Sequence, residues 1–263
     1  MGRVIELDAS TFLLQWSVGG MLGCWYTTRS REVGIGYGWL LRIVFGVLSI
    51  AAVFIGWASD ERGTAVTMRN ASASVMVVGV LVALGVSVVR RRLIGGTDGK
   101  GFDPRLDLVA VAPGLVGLVA AAVSAGGNDA LAIARLVVGS AFLGFVTDAM
   151  LLGHWYLVQP GLPRRHVNDV VRVFLTIWPL EVVMMLIPTG MISVLTGAVD
   201  DGWGGTLGWF WVACALTTGI LGVTTTRALK EPSYSAVMAA TGLMYLAILT
   251  AFGTDLVARA TLS

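Results

Sequence analysis

Charge is scarce in this chain. Only 13% of its 263 residues are Asp, Glu, Lys or Arg, against about 25% in soluble domains. Hydrophobic residues make up 56%, and the mean hydropathy is +0.81. A water-exposed globular surface cannot be built from so few charges, and a net charge of +2 is too small to suggest a nucleic-acid partner. Cysteine is nearly absent too. Cys24 and Cys214 both fall in apolar runs without metal-like spacing, so a disulfide framework or metal centre is not expected and both read as small buried hydrophobes. Two histidines, with His166 in a turn, are too few for two bis-histidine haems, so haem is not expected. No lysine lies inside an apolar run, which excludes a retinal Schiff base of the usual kind. The glycine-rich stretch 95–101 has a lysine but lacks the spacing and following hydroxyl of a phosphate loop, and reads as a turn.

Apolar runs of membrane-spanning length fill most of what remains. The pattern predicts an all-α, polytopic transmembrane bundle in one integral membrane domain, with eight spans near residues 11–28, 36–58, 64–89, 106–124, 130–158, 169–197, 207–229 and 234–255. The first is the weakest, being short and carrying Gln15; omitting it leaves seven. Basic residues gather in alternate loops: Arg29 and Arg31; Arg90, Arg91, Arg92, Lys100 and Arg105; Arg164 and Arg165; Arg227 and Lys230. The positive-inside rule then sets both termini on the non-cytoplasmic side, and the expected location is a bacterial inner membrane. The bilayer is the first expected partner, followed by other membrane subunits or a second copy of the chain. A short echo between Arg42-Ile43-Val44-Phe45-Gly46 and Arg135-Leu136-Val137-Val138-Gly139 falls in spans of opposite direction, as an inverted repeat requires.

Candidate chemistry concentrates in the hairpin 130–197. Counted from its polar turn, Asp148 and Glu181 each lie about 15 Å deep, at the bilayer midplane. Ionisable groups there are costly and point to function. The two carboxylates are therefore expected to meet as a proton-relay pair, with Arg42 of the second span as the counter-charge of matching depth. Glu181 lies between Pro179 and Pro188, which free the carbonyls near Leu175 and Met184. Arg69 and Arg135 are expected to snorkel or to pair with Asp60, Glu61 or Asp129. His154, Trp155, Tyr156 and Gln159, at the headgroup end of the fifth span, suit a quinone ring that accepts hydrogen bonds beside aromatic side chains. Two function classes follow. The first choice is a non-haem membrane subunit of a respiratory or quinone-linked redox complex, with no catalytic motif of its own and quinone as the ligand; the alternative is a proton-coupled transporter or channel for a small solute. A structural accessory subunit is the third, plainer alternative.

Overall fold

A computed structural model describes residues 8–94, 102–125, 129–187 and 190–262. The described residues form helices α1 (Ala9–Thr28), α2 (Ile35–Ala58), α3 (Thr64–Ile94), α4 (Leu106–Ala125), α5 (Asp129–Trp155), α6 (Arg165–Leu186), α7 (Gly190–Leu195), α8 (Thr206–Ala228) and α9 (Tyr234–Leu262), with no strand among them. The glycine-rich stretch 95–101 and Pro188 lie outside the described residues. Six helices, α2, α3, α4, α5, α8 and α9, are long and apolar enough to cross a membrane.

α1 is not among those six, yet it is central. It packs against α2, α4 and α5 and touches α6, and thirteen of its twenty residues are buried. A helix wrapped by protein needs no lipid-compatible surface, so Ser10, Thr11, Gln15, Ser17 and Thr27 are tolerated because neighbouring helices satisfy them. Asp8 starts the helix, its carboxylate accepting from the amides of Ser10 and Thr11 at 3.0 and 2.9 Å. The crossing of α1 with α5 is a backbone contact: a Cβ added to Gly19 would lie 1.7 Å from the Ser140 carbonyl oxygen, and one added to Gly144 would lie 2.0 Å from the Gly19 carbonyl carbon. Only glycine permits that approach.

α5 is the second interior helix. It contacts α1, α4, α6 and α9, and from Gly139 to Met150 every residue except Ala141 is buried. α6 is peripheral and amphipathic: Val167, Val170, Val171, Phe174, Glu181 and Met185 form its buried stripe at helical spacing. Phe142 stacks on Phe174 with ring centroids 5.9 Å apart, which sets the register of α5 against α6.

The expected single sixth span, 169–197, is two pieces. α6 begins earlier, at Arg165, so that His166 is a buried helical residue and not part of the turn. Pro179 sits inside α6 without ending it; the helix stops at Leu186, followed by Ile187 in extended backbone and then the short α7.

Candidate functional site

The register of the hairpin separates the two acids that the sequence analysis pairs. Asp148 is six residues beyond Phe142 toward one end of the bundle, and Glu181 is seven residues beyond Phe174 toward the other. At 1.5 Å per residue they are about 20 Å apart along the helices. Each has its own surroundings.

Asp148 is fully buried beside α1 and α2. Its Oδ2 accepts from the Thr27 hydroxyl and its Oδ1 from the Tyr37 hydroxyl. Both oxygens are thus held by neutral donors. A second buried carboxylate lies nearby, that of Asp107 at the start of α4. Arg42 grips it through Nε at 2.7 Å and Nη2 at 2.8 Å, and the Cys24 thiol donates to Oδ2 at 3.7 Å. The charge that balances Arg42 is therefore Asp107, and not Asp148 or Glu181. The guanidinium also lies 4.2 Å above the Phe102 ring, while its buried Nη1 has no hydrogen-bond partner among the described residues.

Near the other end, α1 contributes Gln15, which bridges the pair on α9. Arg259 Nε donates to Asp255 Oδ2 at 2.7 Å and Arg259 Nη2 to Gln15 Oε1; Gln15 Nε2 reaches Asp255 Oδ1 at 3.3 Å. Gly139 makes room for this knot, since a Cβ there would lie 2.3 Å from Gln15 Nε2. Arg135 turns inward too. Its Nε donates to the Met184 carbonyl at 2.9 Å and its Nη2 to the Ile187 carbonyl, so it closes the broken end of α6 and does not snorkel. Met184 is one of the carbonyls expected to lose a helical partner. Arg69, 1% exposed, pairs with Asp8 and, at 3.5 Å, with the expected Glu61.

Glu181 sits among these groups. The charges acting on it are Asp255 and Arg259 of α9 and Arg135 of α5. It is 0% exposed, five residues from the end of α6, and among the described residues neither carboxylate oxygen has a hydrogen-bond partner. Trp178 Nε1 donates to the Ala215 carbonyl at 2.9 Å. Because α6 and α8 run antiparallel, Trp211, one turn before Ala215, comes to a depth similar to that of Glu181. Its buried Nε1–H also has no acceptor among the described residues.

The four residues proposed to hold a ligand divide. His154 is exposed. Tyr156 is buried, and its hydroxyl donates to the Pro163 carbonyl at 2.7 Å. Trp155 packs against Tyr37 at 5.7 Å between ring centroids. Gln159 staples the α1–α2 loop to the end of α5: its Oε1 accepts from Gly34 N–H at 2.9 Å and from Trp155 Nε1 at 3.1 Å, and its Nε2 donates to the Glu32 carbonyl at 3.1 Å. Trp155 and Gln159, but not His154 or Tyr156, line a cavity of about 730 Å³ with Arg31, Glu32, Ile35, Arg91 and Val158. The Glu32 carboxylate is held below its usual range chiefly by the hydrogen bond from His166 at 2.9 Å, then by Arg165.

Asp107 and Asp255 are the site residues that sequence reasoning passes over, since each lies near the end of its apolar run. A signal for the second exists: Asp255 and Arg259 are four apart and share a helix face.

The fold and its buried charges define a multi-pass helical membrane protein. No family model matches the chain, and no curated protein matches it significantly.

Proposed function

We propose that this chain is a proton-coupled transporter or channel for a small solute, with Glu181 as the group that takes up and releases the coupling proton. The observation that carries this reading is a fully buried carboxylate whose two oxygens have no hydrogen-bond partner among the described residues, placed next to a helix break. Leaving a buried polar group unsatisfied costs about 1–3 kcal/mol, and more for a charge. Asp148 differs, because two hydroxyls hold it in one arrangement. An acid that must change charge repeatedly is better served by nearby compensating charges than by fixed donors; Arg135 and Arg259 supply these, and the Asp255 carboxylate opposes them. In this reading the chain crosses a bacterial inner membrane eight times, with both termini on the non-cytoplasmic side.

A second reading is a non-haem membrane subunit of a quinone-linked respiratory complex, assembled with other membrane subunits. It draws on the cavity beside Trp155 and Gln159. Its hydrogen-bonding groups are poorly placed for the task, since His154 is not on the cavity wall and the Tyr156 hydroxyl and Gln159 amide are engaged within the protein.

The test uses the purified chain in vesicles with a trapped pH-sensitive dye, challenged with a panel of amino acids, sugars and small organic ions. At least one solute is expected to drive a pH change that falls at least about tenfold in Glu181→Gln and survives in part in Glu181→Asp. Solute-driven proton movement unaltered in Glu181→Gln, or none with any solute, counts against the proposal.

A further inference from the structure

We infer that the cavity between the α1–α2 loop and the ends of α3 and α5 is a binding site for the phosphate headgroup of an anionic phospholipid. Two guanidinium groups from separate elements reach its wall, Arg31 from the loop and Arg91 from the last turn of α3. Among the described residues neither is locked in a strong ion pair. Arg31 meets Asp103 at 3.7 Å with both side chains about half exposed, a contact that contributes little in water. Arg91 lies 4.7 Å above the Trp39 ring, which leaves the outer edge of its guanidinium available for an oxyanion. Among the described residues Glu32 is the one acid on the wall, and both its oxygens are already taken by Arg165 and His166.

The floor suits the same ligand. Ile35 and Gly36 line the cavity at the start of the 24-residue α2, where backbone amides have no intrahelical acceptor, and Gly34 supplies no side-chain cap. Gly34 and Gly36 also present no side chain to keep an anion away. The remainder of the wall is apolar, from Ile35, Trp155, Val158 and Pro163. Beside it Leu93, Leu157 and Val158 are 79%, 48% and 62% exposed, a surface that belongs against acyl chains and puts the cavity at headgroup depth. Basic residues flank it on the same side, as in lipid sites that combine a charged head with an apolar tail. A quinone ring carries no charge, so the two arginines give no reason to prefer it.

The experiment is native mass spectrometry of the full chain in detergent with added phosphatidylglycerol or phosphatidylcholine. Phosphatidylglycerol is expected to be retained about tenfold better. That preference should vanish in the Arg31→Gln/Arg91→Gln double variant and persist in Arg90→Gln/Arg105→Gln, which removes the same charge outside the cavity. Should the first variant fail to fold, a photoactivatable phosphatidylglycerol on the wild-type chain is expected to label residues 31–36 or 155–163. Equal retention of the two lipids, an undiminished preference in the folded double variant, or labelling confined to other segments overturns the inference. Displacement of the lipid by inorganic phosphate alone assigns the site to a free anion, and displacement by ubiquinone assigns it to a quinone; either result also overturns it.

Discussion

Gly144→Ala is expected to be among the most costly single methyl additions to a helix in this protein. The new Cβ would lie 2.0 and 2.2 Å from the carbonyl carbon and oxygen of Gly19, and backbone cannot rotate away as a side chain can. The two interior helices would have to separate. That separation loosens the Trp16 Nε1 bond to the Thr147 hydroxyl, 2.9 Å long, and the Thr27 bond to Asp148. Overpacking typically costs about 1–3 kcal/mol and more where nothing can yield; here at least about 3 kcal/mol is expected. Gly85→Ala and Gly242→Ala are the controls, because a Cβ at either position meets nothing within 4 Å. Both sit inside helices, where alanine is favoured by about 1 kcal/mol. Thermal unfolding in detergent should show the controls at or above the wild-type midpoint and Gly144→Ala far below it. Equal midpoints for all three would mean that α1 does not cross α5 at these glycines.

Asp107→Leu is the second large effect. Arg42 and Asp107 are 1% and 0% exposed and joined by two bonds of 2.7 and 2.8 Å. Removing the acid strands a guanidinium whose Nη1 already lacks a hydrogen-bond partner among the described residues. Breaking a buried pair from one side costs about 3–5 kcal/mol, whereas replacing both partners by apolar residues of similar volume is often neutral. Arg42→Met/Asp107→Leu should therefore regain most of the loss. The comparison is made on folded yield and unfolding midpoint of wild type, both single variants and the double variant. A double variant no better than Asp107→Leu would show that the ion pair itself, and not the stranded charge, sets the stability.

The parts of the fold that face lipid are legible in the sequence, because hydropathy measures what lipid demands. α2 runs from Ile35 to Ala58 and α8 from Thr206 to Ala228, each within a residue or two of the expected 36–58 and 207–229. The same measure undervalues the interior. α1 ranks as the weakest span for carrying Gln15, yet Gln15 ties Arg259 to Asp255 and the helix is the axis of the bundle. Arg135 is expected from the sequence to snorkel or to pair with Asp60, Glu61 or Asp129, but α5 has protein on nearly every side and Arg135 reaches the end of α6. Depth counted from the turn 159–168 puts Asp148 level with Glu181. Helix register is decided by tertiary packing, here Phe142 on Phe174, and no local pattern reports it. Glu181 is buried deep in the bundle, but beside Arg135, Asp255 and Arg259 and not Asp148, whereas Arg69 does meet the expected Glu61.

Infrared difference spectroscopy of the carboxyl stretch, recorded on the purified chain as pH is stepped, tests the role of Glu181 most directly. A band from a protonated carboxyl in an apolar setting should appear and disappear across the titration in wild type and be missing in Glu181→Gln, with the backbone amide bands unchanged. Identical carboxyl spectra from the two proteins would mean that Glu181 does not exchange a proton, and the transport reading would fall with it.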